Sequence, residues 1–345
     1  MTNIWRAALL SGAALAVMPQ AAMASSIISN GHGIYAGFLS TGEMGFADAS
    51  LFSQNGSGGT IGISVNADLS AYGRGSGLFD ATTPGCICEG WGVSASGFGG
   101  GRNQSSGPNS GITFVSEATD YTLGVPGTFF TSTSTLNGTS LSITQAYGAS
   151  ASNNLLQDKV TITNTGASTE TDVRYRRTMD WDVPPGEFSE LVTIQGWPAS
   201  ALLATSDNGF SSANPLDPQG VVLGACGINV NFSRCGPADH GAVFDFGFGD
   251  LAPGQSVEFS IYYGATTGFP DNSAAALAAL AAVKAEVYSL GQYGGGSPAG
   301  EPITYIFGFG GVGGTPVTVP EPTSLALLGG GLFGLWAIRR RRPRH

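Results

Sequence analysis

The stretch FFTSTSTLNGTSLSITQAY, Phe129 to Tyr147, decides how the chain folds. Two runs rich in Thr, Ser and aromatic or β-branched residues, Phe129–Thr135 and Ser140–Tyr147, flank Asn137-Gly138. Asn and Gly tolerate the positive φ angles that a two-residue hairpin turn requires. The stretch therefore predicts two antiparallel strands joined by a tight turn.

Further runs of this kind follow along the chain, separated by Gly- and Pro-containing turns such as Pro253-Gly254. Short strands at this spacing favour a mainly β fold, an antiparallel β-sandwich that could be one large super-sandwich or two domains. We predict strands over Asp158–Thr163, Asp172–Trp181, Ala242–Phe248, Ser256–Tyr263 and Ile303–Phe309.

One stretch near the end of this β-rich region predicts an amphipathic helix, Asp271 to Gly291. Asn272 or Ser273 can cap its start, and apolar residues recur at three- and four-residue spacing up to Leu290. Two Gly-rich stretches predict loops instead. They are Gly97–Gly111 and the region after Gly291, whose last part, residues 311–318, is predicted as a linker.

The first 24 residues have the parts of a secretory signal peptide. Arg6 precedes the apolar run Ala7–Val17, and Ala22-Met23-Ala24 forms a small-x-small cleavage site. We expect export through the Sec machinery and cleavage before Ser25. An uncleaved N-terminal anchor is the alternative, but the apolar run is short for a membrane span.

The C-terminal segment, residues 319–345, has three parts. Pro320, Glu321 and Pro322 form a stiff, extended triplet. The sixteen residues Thr323–Ile338 are apolar and uncharged. An apolar run followed by arginines predicts a transmembrane helix that stops with its charge in the cytoplasm. The arginines of this stop are Arg339, Arg340, Arg341, Arg342 and Arg344.

This three-part pattern resembles the PEP-CTERM sorting signal of Gram-negative bacteria. The resemblance implies that an exosortase, a membrane enzyme, recognises the segment, and it links the protein to exopolysaccharide and biofilm. Residues 25–310, the body, resemble a recurrent type of PEP-CTERM protein of unknown activity. The stretches that carry this second resemblance are DVRYRRTMDWDVPP, from Asp172, and ADHGAVFDFGFGDL, from Ala238.

Charge in the mature protein is sparse and mostly acidic. The chain has 14 Lys and Arg and 24 Asp and Glu. Without Arg6, the five tail arginines and Glu321, eight basic and 23 acidic residues remain, a formal charge of −15. Because phosphate contacts need a basic surface, this balance argues against a nucleic-acid partner.

The four cysteines lie in the body, which export places in an oxidising compartment. Cys226 and Cys235 flank the predicted hairpin GINVNFSR, so we expect a disulfide between them. Cys86 and Cys88 are candidates for a second bridge, although their ring would be small and long-range pairing is an alternative. Zinc bound by cysteines and His240 is a further alternative, but the spacing matches no standard zinc motif.

The predicted strand from Asp172 places charged residues on one face and apolar residues, including Tyr175 and Trp181, on the other. We interpret the charged face as solvated, with Asp180 paired to Arg176 or to a neighbouring strand. Asp180 and Asp182 are also weak candidates for a calcium or sugar site. The charged face consists of Asp172, Arg174, Arg176, Thr178, Asp180 and Asp182. No other cofactor is expected.

Catalytic motifs are lacking. The chain has no Gly-x-Ser-x-Gly element, and the body has only His32 and His240. The sequence therefore predicts a non-enzymatic protein with a structural or adhesive role. It would be anchored transiently in the inner membrane and then placed at the outer surface or in the exopolysaccharide matrix. A carbohydrate-binding or carbohydrate-processing protein of that matrix is the alternative.

Overall fold

The computed structural model describes residues 26–47, 59–103, 109–120, 129–220, 226–268, 272–295 and 301–318. The predicted signal peptide, its cleavage site, the Pro-Glu-Pro triplet, the transmembrane helix and the arginine cluster lie outside these residues. Within the described ranges, no helix is long and apolar enough to cross a membrane.

Antiparallel strands dominate the described residues, as predicted. They are β1 (Ser26–Ser29), β2 (Ile34–Phe38), β3 (Phe46–Ala47), β4 (Thr60–Ile61), β5 (Ile63–Asp68), β6 (Ser76–Asp80), β7 (Glu89–Ala95), β8 (Phe98–Asn103), β9 (Ile112–Asp120), β10 (Phe129–Leu136), β11 (Leu141–Ala149), β12 (Leu155–Asn164), β13 (Glu170–Asp180), β14 (Glu190–Gln195), β15 (Leu202–Ser206), β16 (Phe232–Ala238), β17 (Gly241–Leu251), β18 (Ser256–Thr267), β19 (Val287–Tyr293) and β20 (Ile303–Gly310). A 3₁₀ turn covers Ser70–Tyr72.

The largest sheet has nine strands in the order β16-β14-β19-β20-β18-β12-β11-β10-β9. The predicted Asn-Gly hairpin lies within it, as β10 and β11, with Phe130 opposite Tyr147. Leu141, Ile143 and Tyr147 of β11 are buried, and the residues between them are more exposed, apart from the buried Gln145. This period of two fixes the register, since a one-residue shift would expose the buried side chains.

Two smaller sheets pack on one face of the nine-stranded sheet. The five-stranded sheet, β15-β17-β13-β7-β8, contacts it through ring pairs such as Tyr175 with Phe259, with centroids 5.0 Å apart. The four-stranded sheet, β1-β2-β5-β6, contacts it through Phe38 and Tyr147, at 3.9 Å. All three sheets share one hydrophobic core, so the predicted β-sandwich is confirmed as a mainly β, antiparallel fold.

The α-helix α1 (Ser273–Ala282) packs on the opposite face of the nine-stranded sheet, where Leu280 contacts a second apolar cluster with Tyr262 and Ile306. The predicted helix was too long. The chain leaves the helix near Lys284, which has a φ of +55°, and the following residues form β19. Pairing with β14 and β20 outweighs the helical spacing of this segment.

The Gly-rich stretch Gly97–Gly111 is only partly a loop, which corrects the prediction. Residues 98–103 form β8, which pairs with β7. Glycine is required there by packing, because a Cβ on Gly100 would lie 2.7 Å from the backbone of residues 110 and 111. Small residues therefore mark a close approach of two chain segments rather than mobility.

Residues 311–318, predicted as a linker, are hydrogen bonded to the body. The amide of Ala201 donates to the carbonyl of Val312, and the amide of Val317 donates to the carbonyl of Ala285. Val312 is itself buried in the main core. This segment therefore continues the packed structure up to residue 318.

Candidate functional site

Four acidic residues gather where the five-stranded and nine-stranded sheets meet. Asp180 ends β13 in the smaller sheet, and Glu190 begins β14 in the larger one. Asp182 lies in the connection between these strands. Asp239 follows β16, whose Ala238 pairs with Glu190. The crossing of the chain between the sheets brings Glu190 near Asp180 and Asp182, and the pairing of β16 with β14 adds Asp239.

The carboxylates of this acidic cluster, Asp180, Asp182, Glu190 and Asp239, are closely spaced and mostly buried. One oxygen each from Asp180, Asp182 and Asp239 lie within 4.8 Å of one another. Asp180 is 2% exposed, and Asp182 and Glu190 are 0% exposed. Asp239 is exposed and forms the solvent side of the cluster. The cluster is therefore buried except at Asp239, which is exposed to solvent.

Several oxygens of the acidic cluster have no hydrogen-bond partner among the described residues. They are Oδ1 of Asp180, both Oδ atoms of Asp182 and Oε2 of Glu190. The other Glu190 oxygen accepts a hydrogen bond of 3.2 Å from the amide of Val183. Buried polar atoms are normally paired, so this concentration of unpaired acceptors is a feature that needs a chemical partner.

Burial, and then the negative charge of neighbouring carboxylates, raises the pKa values of the cluster. Burial raises the pKa of Asp182 the most, with Asp180 and Glu190 adding to the effect. Burial and Asp239 raise the pKa of Asp180. Burial raises the pKa of Glu190 to about 9. Without a counter-charge, these groups favour their protonated forms at neutral pH.

The prediction of a solvated charged face on β13 is wrong. Arg176 and Thr178 are buried together with Asp180 and Asp182, whereas Asp172 remains exposed. The prediction that Trp181 is a core residue is confirmed, as it is 0% exposed and its indole N–H donates to Ser289 Oγ at 3.0 Å.

A distant segment covers the charged face of β13. Thr178 Oγ1 donates to the carbonyl of Gly209, and Arg176 donates to the carbonyls of Ser212 and Asp217. The expected pairing of Arg176 with Asp180 is also wrong. Arg176 instead forms a two-point ion pair with Asp245, its neighbour on β17, at 2.5 and 2.8 Å.

A cysteine pair lies beside the acidic cluster. Cys86 and Cys88 pair with each other, with Cα atoms 5.2 Å apart, and Cys86 Sγ lies 3.8 Å from Asp180 Oδ2. Cys226 and Cys235 are likewise at disulfide distance, with Cα atoms 5.9 Å apart. Cys226 lies in a loop rather than on a strand, so the predicted hairpin around GINVNFSR is wrong. Sulfurs that are paired in this way supply no thiolates for zinc.

His240 connects the acidic cluster to the Cys226 loop. Its Nε2 lies 3.1 Å from the carbonyl oxygen of Glu190, and its Nδ1 lies 3.1 Å from Oδ2 of Asp207. Since a carbonyl oxygen only accepts, Nε2 carries a proton. The amide of Cys226 donates to the same Asp207 oxygen.

Sequence reasoning identified Asp180 and Asp182 but missed Glu190 and Asp239. No local signal marks either of them, because Glu190 follows a proline-rich connection and Asp239 lies in the short connection between β16 and β17. The arrangement offers hard oxygen donors at short separations, which is the chemistry of a cation site. His240 Nδ1 lies 4.0 Å from Cys226 Sγ, but this sulfur is at disulfide distance from Cys235.

Comparison with models of known protein families identifies a sorting motif in this chain. A family model for the PEP-CTERM protein-sorting motif matches residues 318–342. This match confirms the resemblance of the C-terminal segment, and it marks the chain as an exported protein sorted through exosortase. A search of curated proteins finds no significant match.

Solved structures give only remote likenesses. One is a galactose mutarotase related enzyme from Lactobacillus acidophilus, with 11% identity, a TM-score of 0.27, and coverage of 84% of this chain and 86% of that one. Another is an aldose 1-epimerase candidate from Escherichia coli K12, with 12% identity, a TM-score of 0.27, and coverage of 87% and 91%. TM-scores this low carry no argument about fold or activity.

Proposed function

We propose that this PEP-CTERM protein has a structural or adhesive role at the outer surface or in the exopolysaccharide matrix, without enzymatic activity. The observation that carries the proposal is the sorting motif at residues 318–342, because such a motif serves delivery to the envelope. The body is a sandwich with one continuous core, which suits a protein that must persist outside the cell.

The position of the body relative to the motif supports this role. Val317 is hydrogen bonded to the body, and the Pro-Glu-Pro triplet begins at Pro320. Three residues span at most about 10 Å. The body is therefore held close to the processing site before cleavage, and no long tether separates it from the membrane.

Processing of the motif is the first test. We expect Arg339 to Arg342 to hold the C-terminus in the cytoplasm until the segment near Pro320-Glu321-Pro322 is cut. Intact-mass analysis of exported protein should show a chain that lacks the arginine cluster. A variant ending at Thr318 should be released to the periplasm instead of reaching the surface. Surface protein that still ends at His345 would contradict the processing step.

Carbohydrate binding is the second candidate, and a surface cavity favours it. The cavity has a volume of about 290 Å³ and is lined by Trp197 and Glu286 together with residues 313–315. An aromatic face beside polar groups suits a small polar ligand. Glu286 already accepts hydrogen bonds from the amides of Val312 and Gly314, so its free acceptor capacity is reduced.

A glycan-binding screen with exported protein separates the two candidates. The structural proposal predicts no saturable binding to any single polysaccharide. Saturable binding that Trp197→Ala removes would favour the carbohydrate candidate, and turnover of the bound glycan would make the protein an enzyme. Phe188→Ala, at an exposed aromatic residue away from this cavity, is the matched control.

A further inference from the structure

The unpaired oxygens of the acidic cluster need a positively charged partner. Both carboxylate oxygens of Asp182 are buried without a hydrogen bond, and so are one oxygen of Asp180 and one of Glu190. A buried acceptor left unpaired costs about 1–3 kcal/mol, and more when it is charged. Only protons or a cation can satisfy several carboxylates that face one another in this way.

We propose that Asp180, Asp182 and Asp239 form a calcium site that joins the ends of the two sheets, with the unpaired oxygen of Glu190 nearby. Calcium takes oxygen ligands at about 2.3–2.6 Å, so two ligands on opposite sides of the ion are up to about 5 Å apart. Oxygens of Asp180, Asp182 and Asp239 that lie within 4.8 Å of one another match this span.

The donor set selects calcium over other common cations. All the available donors are carboxylate oxygens, whereas zinc and copper favour the nitrogen and sulfur ligands that are engaged elsewhere here. His240 is bonded to Asp207 and to the Glu190 carbonyl, and Cys86 is paired with Cys88. Magnesium keeps several waters in a strict octahedron, which an enclosed cluster of protein oxygens does not favour.

Access to the site is provided by Asp239. Its side chain is exposed, whereas Asp180, Asp182 and Glu190 are buried. An ion can therefore reach the buried oxygens from one side, and water can complete its coordination there.

The bound ion would fasten two distant parts of the chain beside the start of β14. Asp180 and Asp182 flank the crossing from the smaller to the larger sheet, and Glu190 begins the larger sheet. Asp239 belongs to the connection that follows the Cys226–Cys235 pair. Extracellular calcium modules bind with dissociation constants of about 10⁻⁴–10⁻³ M, which suits an exported protein and sets the expected affinity.

Thermal melts of the purified exported protein test the site, with EGTA and with calcium up to about 10 mM. We expect calcium to raise the melting temperature by several degrees in a saturable manner. Isothermal titration should give one calcium per chain. Magnesium at the same concentration should shift the melt much less.

Asp182→Asn is the decisive variant. The amide is nearly isosteric and removes a buried charge, so the variant should fold and should lose the calcium-dependent shift. Asp239→Asn, at the exposed residue, should weaken calcium binding at least tenfold. This variant tests the site if Asp182→Asn does not fold. Glu258→Gln is the matched control, because Glu258 is an exposed acid in an ion pair with Lys159 at 2.8 Å. It should respond to calcium like the wild type.

Three results would overturn the proposal. A wild-type melt that is indifferent to both EGTA and calcium, with no heat of binding, would mean that protons alone satisfy the acidic cluster. A calcium shift that survives in Asp182→Asn and Asp239→Asn would place the ion elsewhere. An equal shift with magnesium would indicate general charge screening rather than a calcium site.

Discussion

The guanidinium of Arg177 donates to the carboxylate of Glu89 at the centre of the sandwich, and both side chains are 0% exposed. Arg177 also donates to Gln145 Oε1 at 2.9 Å and lies over the ring of Tyr263, 5.5 Å from its centroid. A second acid, Asp158, is buried in the same region. Burial, and then the charge of Asp158, raises the pKa of Tyr147. These residues form a buried charged network beside the aromatic side chains of the core.

Breaking the Arg177–Glu89 ion pair should destabilise the protein strongly. Arg177→Met leaves Glu89 buried without its partner, which costs about 3–5 kcal/mol. Urea denaturation at neutral pH should show this loss. Arg174→Gln removes an exposed pair with Asp172 and should cost about 0–1 kcal/mol. If both variants lose the same free energy of unfolding, burial does not increase the contribution of the Arg177–Glu89 pair to stability.

The double change Glu89→Leu with Arg177→Met tests whether the ion pair itself stabilises the protein. The alternative is that the cost arises only when one buried charge loses its partner. Apolar replacement of both partners removes the uncompensated charge, so it should cost less than Arg177→Met alone. A double variant less stable than either single variant would mean that the pair itself stabilises the core.

Asp158 should make stability depend on pH. Burial raises the pKa of Asp158 to about 7, against the opposing effect of Arg177. In the unfolded chain an aspartate titrates near pH 3.9. Between these values the folded chain retains a proton that the unfolded chain has lost, so stability falls as the pH rises from about 4 to about 7. A pKa difference of about 3 corresponds to about 4 kcal/mol at most.

Asp158→Asn should therefore reduce the loss of stability between about pH 4 and pH 7, as measured by urea denaturation at a fixed calcium concentration. The variant should also exceed the wild type in stability near neutral pH. Glu258→Gln, at an exposed acid, should keep the wild-type pH dependence. Identical pH profiles for the wild type and Asp158→Asn would contradict a buried, proton-retaining Asp158.

Trp181 should be among the most costly residues to truncate. It is fully buried beside Tyr305 and bonded to Ser289, so Trp181→Ala should cost about 3–5 kcal/mol. Trp181→Phe keeps an aromatic ring but loses the indole hydrogen bond, so it should cost less. Chemical denaturation monitored by circular dichroism measures both. A small loss for Trp181→Ala would mean that the site collapses around the missing side chain.

The pairing of Cys226 with Cys235 remains a prediction that peptide mapping can test. Non-reducing digestion should yield a disulfide-linked peptide containing both residues. Changing both to Ser should lower the free energy of unfolding by about 2–3 kcal/mol, because the closed loop is short. Recovery of both cysteines as free thiols would reject the bridge.

The sequence alone determined several of the strands and the sorting segment, because both depend on local patterns. Alternating side chains and the Asn137-Gly138 turn predict β10 and β11 within two residues of their ends. The inward direction of Trp181 and Tyr175 also follows from the period of two. The Pro-Glu-Pro triplet, apolar run and arginines are contiguous in sequence, so they need no tertiary contact to be recognised.

Tertiary structure decided which strands pair and which charges are buried. β12 and β13 are consecutive in sequence but belong to different sheets, and the same holds for β17 and β18. The helix ends after Ala282 because the following residues pair with distant strands, although the helical spacing of the sequence continues.

The acidic cluster shows this division most clearly. Alternation correctly put Asp180 and Asp182 opposite the aromatic face of the core. It could not reveal that a distant segment, residues 209–217, covers Arg176 and Thr178 on the same face. It also gave no indication that the sheet crossing brings Glu190 and Asp239 to the same point. Burial of a charge depends on what packs over it, and here the covering segments come from distant parts of the chain.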